Sequence, residues 1–364
     1  MRARFAIQLS IVAVAAMAAL VPLRAELVER WFTGRLYPAI QGLLTPTSNL
    51  LPIAWLDLLV LSAVIWFGWL WYRAFRPREK RLSRSRSIGL AAWNTLVAAA
   101  CVYLVFLGLW GLNYERVRLP QRLVLERDTP TTEQVFDLGL EAARQVNALY
   151  APAHSAGWSQ PTWQHASLRD SAVGIQQMLG AARNAVPGRL KQSVFGLVFR
   201  WNGVDGMINP FGLEVLANPD LLPFEKPFVA AHEWAHLAGY ADESEANFVG
   251  WLTCLHADVP SQYSGWLFLY WQVAGELDGD GRAKISQTLA SGPRADLEAI
   301  ADRLRRGSLP LFQRVSWAAY DKYLKANRVK AGIRSYGEVV TLILRARFED
   351  GWRPVRRGPG GPTE

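Results

Sequence analysis

Three apolar runs limit what this chain can fold into. Phe5 to Leu23 carries no charge, Leu50 to Tyr72 is apolar apart from Asp57, and Ser87 to Leu112 is broken only by Ser, Asn and Thr. A helix rises about 1.5 Å per residue and a bilayer core is about 30 Å thick, so each run is long enough to cross. One such run can be a buried core helix. Three of them, flanked by Arg, Trp and Tyr, predict membrane spans at about residues 5–23, 50–72 and 87–112. The small residues at Ala15 to Ala19 make a cleaved signal peptide the alternative for the first run.

The chain has 364 residues and a net charge of +9, which raises the question of a nucleic-acid partner. Arg2, Arg4 and the segment Arg73 to Ser87 account for eight of those nine charges. The remainder is nearly neutral, so nucleic acid is not an expected partner. Lys and Arg concentrate in the loop at 73–86, whereas Arg24 to Asn49 has three basic and two acidic residues. The positive-inside bias then puts the N-terminus and the 73–86 loop in the cytoplasm and everything after Leu112 outside. The basic loop can contact anionic lipid or a cytoplasmic partner. Asp57, near the outer end of its run, is expected to be a hydrated or hydrogen-bonded structural carboxylate. Cys101 and Cys254 are the only cysteines and suggest no disulfide framework.

Residues 113–350 are the expected soluble domain, and 351–364, rich in Gly and Pro, an expected disordered tail. Thr131 with Gln134 predicts a capping box at the start of a helix near Thr132. "SLRDSAVGIQQMLGAAR" reads as a second helix. "SVFGLVFRW" and "FGLEVLANP", short and bounded by Asn, Gly and Pro, read as strands, the latter as a sheet edge able to pair with an extended peptide. "KPFVAAHEWAHLAGY" reads as helix with Pro227 in its first turn, and helices follow almost to the end. No internal repeat is present.

"HEWAH" places His232 and His236 four residues apart, one turn above each other on one helix face. Glu233 stands beside the first. This HExxH spacing suits two zinc-binding imidazoles and a glutamate acting as general base. A catalytic zinc needs a third ligand and an open position. Gly239 can turn the chain back, and Asp242, Glu243 and Glu245 follow. Asp242 suits the N-cap of the next helix, with Glu245 completing a capping box. Glu243 then lacks a structural duty and is the favoured ligand, with Glu245 and Asp242 as alternatives. Asn247, one turn on, is a candidate to hydrogen-bond a ligating imidazole. Tyr320 and Tyr336 are candidate oxyanion donors. His256 is a remote ligand candidate, and His154 and His165 have no partner pattern.

"ESEAN" resembles the glutamate-zincin pattern E-x-x-A-D/N, in which the first Glu is a ligand; here that is Glu243, with Asn247 in the Asp/Asn place. "WGLNYERV", "GMINPFGLEVLANPDLLPF" and "YDKYLKANRVKAGIRSYGEVV" extend the resemblance over most of the chain, to domain-of-unknown-function family 3810 (DUF3810). Its members are bacterial multipass membrane proteins with a zincin-type motif. Asp242 departs from the expected pattern by adding an acidic residue. The resemblance implies a mainly α membrane protein: three transmembrane helices, residues 1–112, anchoring an α+β zincin-like metallopeptidase domain with a small sheet. The expected activity is zinc-dependent hydrolysis of peptide or envelope-protein substrates outside the bacterial inner membrane. The competing expectations are a non-catalytic zinc-stabilised sensor or scaffold and a zinc amidase acting on envelope material. Its oligomeric state is not readable from the sequence.

Overall fold

A computed structural model of the chain describes residues 2–76, 83–126, 129–158, 161–327 and 338–358. It is 72% helical. Helix α1 (Arg2–Leu20) is followed by α2 (Ala25–Leu27), a π-helical stretch at Val28–Leu36, and α3 (Tyr37–Asn49). Helices α4 (Trp55–Phe75) and α5 (Arg84–Leu109) come next. Of these, α1, α4 and α5 are long and apolar enough to cross a membrane. Their bounds shift by a few residues from the expected ones for local reasons. Pro22 and Pro52 lie outside the helices they border, because proline favours an extended preceding residue. Ser83 starts α5 early by accepting from Arg86 N at 3.4 Å.

The segment between α1 and α4 is not a plain loop. Val28, Phe32 and Tyr37 are buried in the same core as Val339 and Ile343 near the other end of the chain. Packing therefore ignores residue 112 as a boundary. The 25–49 segment belongs with the residues that follow the third apolar helix.

Helices α6 (Leu119–Arg122), α7 (Thr132–Ala156) and α8 (Ala166–Met178) come next. The expected Thr131–Gln134 capping box is formed reciprocally at the start of α7. Strand β1 (Leu190–Lys191), helix α9 (Gly196–Asn202) and strands β2 (Gly206–Asn209) and β3 (Glu214–Ala217) follow. The expected strand at "SVFGLVFRW" is thus a short helix. Its buried residues Gly196, Phe199 and Asn202 recur every three positions, and Gly203 ends it in the left-handed conformation, φ +66°. The sheet order is β1-β3-β2, parallel between β1 and β3 and antiparallel between β2 and β3. "FGLEVLANP" therefore supplies the central strand rather than an edge; β1 and β2 are the edges.

The remaining helices are α10 (Lys226–Leu237), α11 (Glu243–Leu255), α12 (Val259–Glu276), α13 (Gly279–Gln287), α14 (Ser291–Gly307), α15 (Pro310–Ala326) and α16 (Glu338–Arg345). A hairpin, β4 (Phe348–Glu349) with β5 (Arg353–Pro354), ends the described chain. Part of the expected disordered tail is therefore built in. Trp352 packs edge-on to Trp251 and Trp266 at 5.1 and 5.6 Å, and Val124 N donates to Val355 O. That apolar anchor outweighs the Gly/Pro composition. Residues 359–364 of the tail, 77–82 of the basic loop, and Tyr336 lie outside the described residues.

Candidate metal centre

Helix α10 carries both motif histidines. Its C-terminus closes with Gly239 at φ +86° and a Tyr240 N to Ala235 O bond of 3.1 Å, which turns the chain toward α11. Segments distant in sequence brace that end. Tyr37 Oη donates to Leu237 O at 2.8 Å, Trp110 Nε1 to His236 O at 3.2 Å, and Arg116 Nη1 to Gly239 O at 3.0 Å. Leu237 O is a carbonyl the helix end leaves open, His236 O takes Trp110 as a second donor beside Gly239 N, and Gly239 O lies just past the helix. "WGLNYERV" thus works as a clamp on the turn after the motif.

Asp242 is the N-cap of α11, accepting from Ser244 N at 3.0 Å, and pairs with Arg118 Nη1 at 2.7 Å. Glu245 does not complete a capping box. Its Oε1 accepts from Leu119 N at 3.0 Å, because α6 lies against this end of α11 and offers a buried donor. Burial and the neighbouring Asp242 charge outweigh Arg118 and push the Glu245 carboxyl up to about 7. Both acids point away from the histidines.

Glu243 points toward them. Its Oε2 lies 3.4 Å from His232 Nε2 and 3.5 Å from His236 Nε2. Ligand atoms of the three residues all fall within 4.8 Å of one another. The close crossing of α10 and α11 depends on Gly250, where a Cβ would lie 3.0 Å from His232 N and Cα. Tyr320, from α15, donates to Glu243 Oε1 at 2.7 Å. That hydroxyl, expected as an oxyanion donor, is engaged with the third acid. His236 Nδ1 lies 2.7 Å from Tyr240 O. A carbonyl only accepts, so Nδ1 carries a hydrogen, and Nε2 is the nitrogen that loses its proton to face a cation. Tyr240 thus takes the imidazole-orienting part expected of Asn247. Asn247 is buried, but neither its Nδ2 nor His232 Nδ1 has a partner among the described residues.

Charge is unevenly held here. Burial raises the Glu243 carboxyl, but the two imidazoles overcome it and hold it well below the usual carboxylate range. Burial lowers His236, and Glu243 more than reverses this, to about 9. Glu233 moves the other way: burial pushes it up to about 7 against the pull of both histidines. Glu233 Oε2 has no partner among the described residues. Its Oε1 lies against the bare backbone of Gly206, where a Cβ would come within 2.6 Å.

The donor set fits a zinc ion. Two imidazole nitrogens and one carboxylate converge, Glu243 Oε2 makes no hydrogen bond, and no fourth metal-ligating side chain joins the group among the described residues. His256 is not part of it: its Nδ1 lies 3.0 Å from Leu252 O at the far end of α11. His154 pairs with Asp296 Oδ2 at 2.8 Å and His165 with Asp258 Oδ2 at 3.3 Å. Asp57 is hydrogen-bonded by Ser193 Oγ at 2.5 Å and Val194 N at 3.0 Å, as expected of a structural carboxylate.

Two cavities, about 460 and 350 Å³, share His232, Glu233, Gly206 and Trp317 as lining. Aromatic side chains of Trp110, Tyr114, Tyr320 and Tyr323 line the larger, and Phe228, Phe268 and Trp271 the smaller. Strand β2 borders the larger one with Gly206, Met207 and Ile208. Asn218 N donates to Asp205 O at 2.8 Å. Alternation along an antiparallel ladder then turns the N–H and C=O of Gly206 and Ile208 to the outer edge, away from β3.

Fold and site together define a mainly helical protein with three membrane-length helices and a two-histidine, one-glutamate cluster between α10 and α11. The chain belongs to DUF3810, a family described as protein of unknown function, which matches residues 32–344. Comparison with curated proteins and with solved structures found no match.

Proposed function

We propose that this protein is a membrane-anchored zinc metallopeptidase of the zincin type, with His232, His236 and Glu243 as zinc ligands and Glu233 as general base. One observation carries it. Three ligand-type atoms lie within 4.8 Å of one another, and beside them is a buried carboxylate with an unpartnered oxygen. A zinc ion held there supplies Lewis acidity, lowering the pKa of water to about 7 and polarising a carbonyl.

The chain's own residues do the rest. Glu233, buried beside the cluster with one carboxylate oxygen unpartnered, is placed to take a proton from water and to return it to the leaving amine. Tyr240 O fixes the His236 tautomer, and Tyr320 steadies Glu243. The outward N–H and C=O groups of Gly206 and Ile208 suit an extended peptide laid along β2 beside Glu233. A peptide or envelope-protein substrate in the extracytoplasmic space of a bacterial inner membrane is consistent with the basic loop at 73–86.

The test is Glu233→Gln in the full-length protein. Zinc content should match wild type while peptide hydrolysis falls about 10²–10⁴-fold. Wild-type turnover in this variant would sink the mechanism, and proteomics of the envelope with and without it would find the substrates.

A further inference from the structure

The first turn of α4 is tied to the domain that holds the metal centre. Trp55 N and Leu56 N donate to Glu214 at 3.0 and 2.8 Å, and Asp57 accepts from Val194 N at 3.0 Å. Val194 therefore lies level with the start of a membrane-length helix. Ala54 and Leu56 also pack against Phe199 of α9. At the end of α5, Phe106 meets Tyr323 of α15 with ring centroids 6.4 Å apart. Helices α9 and α15 are joined through Trp201 and Phe312, 5.5 Å apart, and through Leu309 N to Trp201 O at 3.0 Å. The pair thus bridges the ends of two membrane-length helices on one side.

Its surface is apolar where a water-facing surface would be polar. Val194 is 76% exposed, Leu311 77% and Val315 64%, with Leu197 and Phe312 exposed between them. Leu50, Leu51 and Ile53 continue the exposed apolar surface up to α4. Exposed Arg306 and Arg314 alternate with these residues along the α14–α15 corner. Apolar side chains interleaved with arginines suit the boundary of an anionic bilayer. The same two helices also wall the larger cavity, through Val198, Phe199, Trp317 and Tyr320.

We infer that the α9–α15 ridge lies in the interfacial layer of the leaflet where α4 begins and α5 ends. The cavity behind it takes its substrate from that surface: a membrane-anchored polypeptide, cut in an extended segment close to its own span. The substrate half rests on the peptidase reading above. The placement of the ridge does not.

The experiment uses the full chain in vesicles of phosphatidylethanolamine and phosphatidylglycerol, in a Cys101→Ser background, Cys254 being fully buried. Fluorophores are attached at Leu311→Cys, Val315→Cys and, as control, Asp280→Cys on α13. Labels at 311 and 315 should be quenched by shallow nitroxide lipids and shielded from aqueous iodide, and the label at 280 the reverse. Iodide access at 311 and 315 equal to that at 280 would overturn the placement. So would shielding from both quenchers, the signature of a protein partner or a second copy.

One reporter sequence is then offered as a free peptide and as a peptide fused to a membrane anchor. Leu311→Glu with Val315→Glu should slow cleavage of the anchored form at least about tenfold and leave the free form unchanged. An equal change in both forms, or in neither, would overturn the substrate assignment. If wild type cuts neither reporter, the peptidase reading fails and the substrate assignment with it, while the labels still decide where the ridge lies.

Discussion

Two buried charge clusters lie on neighbouring elements, and they are built on opposite rules. At Lys191–Glu214 every charge is answered. Glu214 accepts from Lys191 Nζ at 2.8 Å, Asn209 Nδ2 at 2.9 Å, and the backbone of Trp55 and Leu56, and Lys191 Nζ also donates to Ser48 Oγ at 2.8 Å. Both side chains have no exposed surface. At His232, His236, Glu243 and Glu233 the reverse holds: His232 Nδ1, Glu233 Oε2 and Glu243 Oε2 are buried without a hydrogen-bond partner. A buried polar atom left unsatisfied is costly. The first cluster joins a membrane-length helix to a sheet. The second accepts a cost that a ligand can offset. Both clusters bury charge; what differs between them is how completely their polar atoms are hydrogen-bonded.

The strongest way to break this comparison is to make the closed cluster incomplete. Lys191→Met leaves Glu214 buried without its counter-charge and should cost about 3–5 kcal/mol. Thermal unfolding in detergent would read this as a clear drop in midpoint. Lys191→Met combined with Glu214→Gln should recover part of the loss, since the unpaired buried charge is gone, although the amide oxygen can accept from only one of Trp55 N and Leu56 N, which meet different oxygens of Glu214. If the double variant is as unstable as the single one, the cluster is held by packing and not by charge.

The open cluster can be sharpened through Tyr320. Its hydroxyl donates to Glu243 Oε1, so Tyr320→Phe removes a contact behind a proposed ligand. Losses behind metal ligands are typically about 10–100-fold in affinity. Zinc titration against a chelator of known strength should show a loss in this range, with the unfolding midpoint of the metal-free protein unchanged. Unaltered affinity would assign Tyr320 to packing.

These clusters were unequally visible in the sequence. The motif histidines and the Asp242 cap follow helical periodicity and local capping chemistry, so they can be read from neighbouring letters. The membrane-length helices are equally local. Lys191–Glu214 draws on Ser48, Trp55, Asn209 and two strands, and no local pattern announces it. The strand order is likewise a tertiary fact, which is why the central β3 reads as an edge. Helix α9 reads as a strand because it is short and its apolar and aromatic residues also suit one, and only its three-residue burial rhythm gives it away. Gly206 and Gly250 look like ordinary glycines until Glu233 and His232 are placed against them. Tyr320, one of two tyrosines singled out, reaches Glu243 across 77 residues.

The smallest effect separates the clusters by pH. The Glu214 carboxyl is lowered below its ordinary value: burial opposes this, but Lys191 and the backbone donors prevail. A depressed carboxylate contributes its stability above the unfolded value and loses it only as pH falls through the folded one. The closed cluster should therefore contribute a constant term from neutral to mildly alkaline pH. The open cluster should not. Burial lowers His236 and Glu243 raises it, to about 9, so near pH 7 the metal-free site carries a proton that a cation must displace. Zinc affinity should then rise about tenfold per pH unit and level off near pH 9. Calorimetry in buffers of differing ionisation enthalpy should count about one proton released per ion at neutral pH. A flat affinity with no proton released would mean that His236 is already neutral. The open cluster would then be as settled as the closed one, and the contrast between them would fall.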